Sequence, residues 1–142
     1  MSELADPASD WNRKIIEEFR SQGGQVGGNF AGAPLLLLHT VGARSGQQRV
    51  TPIMYQDLGE GRVAVFASKA GAPTHPDWYH NLVADPEVTA EIGTDTRRFR
   101  ARTASPDERE PIWSKQKQAY PGFADYEAKT DRQIPVVILD PV

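Results

Sequence analysis

The chain has 142 residues and no cysteine, with 16 Lys and Arg against 19 Asp and Glu for a formal net charge of −3. That length predicts one domain spanning residues 1–142, large enough to bury its own core. The composition excludes disulfides, thiol nucleophiles and thiolate metal sites. The slightly acidic balance argues against a dedicated nucleic-acid binder, whose domains usually carry a basic excess. No purely aliphatic run is longer than Leu35 to Leu38, far below the ~20 apolar residues of a membrane span. Met1 to Asp10 has neither the basic nor the apolar region of a signal peptide, so the cytoplasm is the expected compartment.

The charge sum hides an asymmetry. No acidic residue lies between Glu18 and Asp57, a stretch that carries Arg20, Arg44 and Arg49. Acids are absent again from Gly61 to Pro76, where Arg62 and Lys69 stand. Either this middle is arranged to tolerate an anion, or it is buried sheet that excludes carboxylates anyway.

In chain order, Asp10 is placed to cap a first helix, with Trp11, Ile15 and Phe19 recurring on one face. Arg13, Lys14, Glu17 and Glu18 cover the rest. Such an amphipathic helix packs on the protein's own sheet in most cases, and peripheral contact with a membrane is left open. Gly23, Gly24, Gly27, Gly28 and Gly32 then form a connection that follows a helix rather than a strand, so it is no dinucleotide fingerprint. Leu35 to Val41 reads as a strand buried on both faces, Arg49 to Asp57 as a second and Arg62 to Ala67 as a third, joined by short glycine turns. His75-Pro76-Asp77 opens a helix that Asp85-Pro86 ends. Glu87 to Ile92 and Thr96 to Thr103 form a hairpin. Ser105-Pro106-Asp107-Glu108 carries a capping box for a helix that reaches about Ala119. Phe123 to Lys129 adds a turn or two of helix, and Pro135 to Leu139 is the last strand. Hairpin-joined strands with helices inserted between them predict an α+β fold built on a small antiparallel barrel.

No dense His and carboxylate cluster exists. His75 and His80, five residues apart, are expected on different helix faces, and no metal site is predicted. No G-x-S-x-G elbow and no phosphate-binding G-x-x-x-x-G-K-[ST] loop occurs. What remains is a binding constellation. The glycines of Gly42-Ala43-Arg44-Ser45-Gly46 can free backbone N–H groups for an anion beside Arg44 and Ser45. Pro52 cannot donate a ladder bond, so it marks an edge or a bulge where backbone opens to a ligand. Phe66-Ala67-Ser68-Lys69 ends the third strand with a hydroxyl and a cation. An ordinary basic hairpin turn would look the same.

The run from Leu35 through Arg44-Ser45-Gly46 to Arg49-Val50-Thr51-Pro52 resembles the L-L-x-T-x-G-[RK]-[KR]-[ST]-G-x-x-R-x-x-P segment of the deazaflavin-dependent nitroreductase family. Ala67-Ser68-Lys69-Ala70-Gly71 and Pro76-Asp77-Trp78-Tyr79-His80-Asn81-Leu82 are similar to further motifs of that family. So are Asp85-Pro86-Glu87-Val88, Tyr120 to Tyr126, and Ile134-Pro135-Val136-Val137. Each motif alone is weak, but together, in order at matching intervals from Phe30 to the end, they are specific.

The resemblance implies a split β-barrel of the flavin-reductase and pyridoxamine-oxidase kind with flanking helices. It implies coenzyme F420 as cofactor and hydride transfer to a small-molecule acceptor, a quinone or nitroaromatic. By that resemblance the anionic tail lies on Ala43, Arg44, Ser45 and Arg49. The ring lies against Val50, Thr51, Pro52, Ile53, Met54, Phe66, Ala67, Ser68 and Lys69. Asp77, Trp78, Tyr79, His80 and Asn81 match positions near the ring and its sugar chain, although Trp78 reads equally as core. Tyr120, Phe123 and Tyr126 match an aromatic wall for the acceptor. Ser68, Tyr120 and Tyr126 are candidates to hydrogen-bond the acceptor or relay a proton. Two departures stand out: Ala43 replaces a basic residue, and Phe123 replaces the tyrosine of nitroimidazole-reducing members. Flavin mononucleotide on the same barrel, or a carrier that holds F420 without turnover, are the alternatives. The assembly state is left open.

Overall fold

The computed structural model describes residues 7–25, 34–43 and 45–142, apart from the side chains of residues 7–12 and 70. The elements are α1 (Pro7–Ser21), β1 (Leu35–Val41), β2 (Gln48–Gly59), β3 (Arg62–Phe66), a short 3-10 turn (Lys69–Gly71), α2 (Asp77–Ala84), β4 (Glu87–Ile92), β5 (Asp95–Thr103), α3 (Pro106–Ala119), α4 (Gly122–Ala128) and β6 (Val136–Pro141). The six strands close into an antiparallel barrel in the order β1-β2-β3-β6-β5-β4. The expected helix and strand order is therefore present. One expected boundary fails, because α1 already runs from Pro7 and Asp10 lies inside it rather than capping it. Proline suits a first helical turn, since its missing N–H has no intrahelical partner to lose there. The Trp11 side chain and the glycines at 27, 28 and 32 lie outside the described residues.

Alternation along the strands sorts the apolar residues into an interior and two outer layers. Inside the barrel, Leu36 and Leu38 of β1 meet Val63, Val65, Val88, Phe99, Val137 and Leu139. The intervening Leu35 and Leu37 face outward onto Ile15 and Phe19 of α1, with Val50 and Met54 of β2 at the margin. This is why the Leu35–Leu38 run is apolar at every position: both of its faces are covered. Ala64, Phe66 and Val136 point outward on the other side, under Trp113 of α3 and Phe123 of α4. Met54 belongs to both outer layers. Trp78 and Leu82 of α2 pack with the barrel interior.

The barrel has a seam along β2. Residues 48–54 of β2 pair with β1, Gln48 with Val41 and Met54 with Leu35. The pairing of β2 with β3 begins only at Tyr55 with Val65 and ends at Gly59 with Arg62. Beyond Phe66 the chain stays with β6, where the Ala67 amide donates to the Pro135 carbonyl at 3.0 Å, and then leaves the sheet. One backbone edge of residues 50–54 is thus without a ladder partner among the described residues. Pro52 stands there, as expected of a residue with no N–H to contribute.

The β5–β6 side is tied down by charge. Arg102 donates to Asp140 at 2.8 Å and to Glu108 at 2.7 Å. Glu108 also accepts from the Ser105 amide, while Ser105 Oγ accepts from the Glu108 amide, completing the capping box of α3. The Arg102 guanidinium, helped by the Ser105 amide, holds the Glu108 carboxyl down at about 2 from an ordinary 4.5. A carboxylate with a depressed pKa stabilises the fold fully above its ordinary value, and that contribution is lost as pH falls through the native one. The stability difference between wild type and Glu108→Gln should be constant above pH 4.5 and shrink toward pH 2, as read by urea unfolding across that range. Phe99, with 1% of its surface exposed inside the barrel, tests the core. Phe99→Ala should cost about 3–5 kcal/mol in the same assay.

Candidate functional site

The outer face beside the seam gathers most of the aromatic and apolar candidates. Val50 and Met54 face outward from β2, and Phe66 faces outward from β3. Phe66 meets Phe123 with ring centroids 5.7 Å apart, and Phe123 meets Tyr126 edge-on at 5.5 Å. Tyr120 packs on the same cluster. Phe123 is buried and its ring is edge-on to Trp113, so it supports the wall from behind as well as belonging to it. Trp113 is itself oriented by Glu127, which accepts its indole N–H at 2.6 Å and pairs with Lys117 at 3.1 Å. Ile53 belongs to the barrel interior instead, and alternation puts Thr51 on that side with it.

Arg44 lies outside the described residues, and residues 42, 43 and 45–47 on either side of it are hydrogen-bonded. The amide of Gly42 donates to the Gln47 carbonyl at 2.8 Å, and that of Gly46 to the Gly42 carbonyl at 2.9 Å. The Ala43 amide donates to Asn81 Oδ1 at 3.0 Å, and the Gln47 amide to Ser45 Oγ at 3.2 Å. The expected cradle of free N–H groups is therefore not available at residues 42, 43, 46 and 47. The turn uses those donors to close itself and to dock on α2. An anion there would be met by side chains, with the Ser45 hydroxyl still able to donate its own hydrogen.

Asn81 explains the placement of α2. Its buried amide accepts from Ala43 and donates to Thr40 Oγ1 at 3.3 Å, joining α2 to the end of β1. Trp78 is buried in the barrel interior, the core role its apolar character suggested. Tyr79 shares its hydroxyl with Thr103 of β5 at 3.1 Å. Asp77 and His80 are exposed. His75 and His80 are not kept apart as their spacing suggested: their ring centroids lie 5.9 Å from each other. His75 precedes the helix, so helical periodicity does not govern it. No group of three or more His, Cys, Asp or Glu side chains suited to a metal assembles among the described residues.

The segment after β3 is where the structure adds most. Ser68 is buried, and its hydroxyl caps nothing in the turn that follows. Lys69 takes the left-handed backbone at φ 47° and its ammonium donates to Thr74 Oγ1 at 3.2 Å. Gly71 has φ 82°, and a Cβ there would meet the Tyr126 carbonyl oxygen at 2.7 Å and Lys129 Cβ at 3.0 Å. The absence of a side chain lets this turn lie directly against the end of α4. Arg132, between α4 and β6, reaches back to the same segment. It donates to the carbonyls of Ala67 at 3.1 Å, Ser68 at 2.8 Å and Ala72 at 2.9 Å. It also donates to His75 Nδ1 at 3.0 Å. Burial, followed by the nearby Arg132 and His80 charges, lowers the His75 pKa from its ordinary value.

Sequence reading did not single out Arg132. Its partners lie 57–65 positions away in the chain, and no local spacing announces them. Glu91 was missed for the same reason. The pairing of β1 with β4 sets Leu37 opposite Glu91, and Glu91 accepts from both Arg20, at 2.7 Å and 3.0 Å, and His39, at 2.6 Å. Arg20 lies in the acid-free stretch, yet folding gives it a carboxylate and uses it to pin α1. Those Arg20 bonds, with His39 assisting, hold the Glu91 carboxyl below its ordinary range. Gly71→Ala should lower stability by at least ~1–2 kcal/mol from the left-handed backbone alone, with the overlap on Tyr126 adding to it, as read from the urea midpoint.

Comparison with known proteins agrees with this geometry. The family model described as F420H(2)-dependent quinone reductase matches residues 11–141. The F420H(2)-dependent quinone reductase Rv1261c of Mycobacterium tuberculosis is 36% identical over 125 residues, covering 85% of this chain and 83% of that protein. A solved F420-H2 dependent reductase, FDR-A, is 42% identical with a TM-score of 0.68, covering 75% of this chain and 94% of the other. A pyridoxamine 5′-phosphate oxidase-type protein of Listeria innocua shares the fold at a TM-score of 0.54 and 11% identity, covering 92% of this chain and 93% of the other. A closed six-stranded antiparallel barrel, matched along nearly its whole length by that family model, identifies the chain as a member of the F420H(2)-dependent quinone reductase family.

Proposed function

We propose that the chain transfers hydride from reduced F420 to a quinone, with the deazaflavin seated over the seam of the barrel. The observation that carries the placement is the one-sided pairing of residues 50–54. A planar heterocycle needs an apolar surface and a polar rim, and this edge offers, from Val50 to Met54, backbone without a second ladder partner among the described residues, beside Phe66. F420, when bound, supplies the hydride, so the protein's contribution is binding, orientation and exclusion of water.

In this reading the side chains of Val50, Met54, Phe66 and Lys69 border the ring with Pro52 and Ser68, while Thr51, Ile53 and Ala67, turned to the interior, contribute only backbone. Arg44, Ser45 and Arg49 meet the phosphate and the glutamates of the tail. Because four amides of the turn are spent internally, that contact is made by side chains, and Ala43 contributes only its backbone link to Asn81. Asn81 fixes the turn, and Asp77, Tyr79 and His80 border the end of the site nearest α2. Tyr120 and Tyr126, braced by Phe123, form the surface on which the acceptor stacks. The hydroxyls of Ser68, Tyr120 and Tyr126 are the donors proposed for the oxygen on which negative charge develops. Phe123 brings no hydroxyl to that wall, which favours a quinone over a bicyclic nitroimidazole as acceptor.

Titration of the protein with F420 and with flavin mononucleotide, followed by tryptophan fluorescence, tests the cofactor assignment. Menadione added to the reduced complex tests turnover. F420 binding followed by menadione-dependent reoxidation is expected. Binding of flavin alone would overturn the assignment, and F420 binding without reoxidation would make the chain a carrier. Arg44→Glu should weaken F420 binding by about tenfold or more, since it exchanges a cation for a carboxylate against a polyanionic tail. Unchanged affinity would place the tail elsewhere.

A further inference from the structure

We propose that Arg132 is a positioning residue for the cofactor: it holds the segment from Ala67 to His75 in the shape that borders the deazaflavin, without itself touching the coenzyme. The inference rests on the placement of the ring at the seam and goes beyond it by assigning the device that shapes one rim. Four facts converge. The segment leaves the sheet at Ala67, so it has no further ladder to hold it. Its own internal bonds among the described residues are few: the Gly71 amide to Ser68 at 2.9 Å, the Ala72 amide to Lys69 at 3.0 Å and the Lys69 ammonium to Thr74 Oγ1 at 3.2 Å. It contains a non-glycine residue in the left-handed region, Lys69, and such a conformation persists only where the surroundings over-determine it.

The fourth fact is the guanidinium. Its donors are distributed over three backbone carbonyls and a ring nitrogen at 2.8–3.1 Å. A planar fork of five N–H groups can satisfy several acceptors at fixed angles at once, which a lysine ammonium cannot reproduce. Because His75 accepts at Nδ1, its neutral ring carries the proton on Nε2. With four of its five N–H groups committed to these acceptors, Arg132 has no fork left for the phosphate or glutamates of a tail. Its part is to order the Ser68 and Lys69 backbone in advance of binding. A segment that had to be ordered on binding would cost affinity by the fraction of time it spends in the competent shape.

The test uses two ligands and one measurement without ligand. Arg132→Met should weaken F420 and its tail-less ribityl form, the 8-hydroxy-5-deazariboflavin without phosphate or glutamates, by the same factor of about ten or more. In the cofactor-free protein it should speed hydrogen exchange at the Gly71 and Ala72 amides ahead of the barrel strands. Arg132→Lys should fall between. Arg109→Met serves as the comparison, since Arg109 also donates to a backbone carbonyl, that of Ile134 at 3.0 Å and 3.2 Å, but does not reach the segment. It should lower stability and leave both affinities unchanged. Loss of F420 affinity alone would make Arg132 a tail ligand and overturn the proposal. So would unchanged affinities, or faster exchange spread evenly over the protein. Failure of the wild type to bind either deazaflavin would overturn the functional reading instead, and the exchange measurement would then decide the role of Arg132 in the segment by itself.

Discussion

The arrangement depends on a mismatch in strand length. β2 has twelve residues and its neighbour β3 has five, so β3 can pair with only one end of it. The other end keeps one edge, from Val50 to Met54, without a ladder partner among the described residues, while the barrel closes around an aliphatic interior. An exposed strand edge is normally a hazard, because it invites pairing with other chains. Here the edge has Pro52 within it and lies beside two outer layers, that of α1 and that of α3 and α4, with Met54 common to both. The same unpaired groups that make an edge a hazard make it suitable to border a flat ligand.

The rigid and adjustable parts of the site follow from this. The floor is sheet, braced from inside by Leu36, Leu38 and Val65. The rims are not sheet, and each is held by side chains arriving from a distance. Asn81 holds the turn after β1 and Arg132 holds the segment after β3. Arg20, through Glu91, holds α1. These are hydrogen-bonded clamps on loops, with strength that depends on geometry, whereas the barrel beneath is stabilised by buried apolar surface. Chemistry supplied by a bound coenzyme asks for this division, since a stable platform and shaped rims together determine orientation.

Much of this was legible in the chain. The strand and helix order followed from periodicity and from punctuation by glycine and proline, because burial on one or two faces dictates where apolar residues recur. The capping box at Ser105 to Glu108 was readable because its partners are three residues apart. Pro52 announced an edge because a missing N–H is a property of the residue itself. The motifs from Leu35 to Val137 pointed to the family and its coenzyme. The charge pattern was only half legible. The acid-free stretch is real in sequence, but β pairing brings Glu91 to Arg20 and His39.

By itself, then, the sequence determined the fold class, the absence of cysteine chemistry and the kinship with a deazaflavin-using family, since each depends on residue identity and short spacing. Only the tertiary structure decided which backbone groups remain open and which side chains are spent. The turn after β1 closes on its own amides, Trp78 goes inward, and Arg132 crosses 57–65 positions to shape a rim. The physical reason is the same in each case. Hydrogen-bond donors and acceptors are assigned by what folding brings within about 3 Å, and neither the register of antiparallel strands nor the path of a loop is written in the spacing of the residues that end up paired.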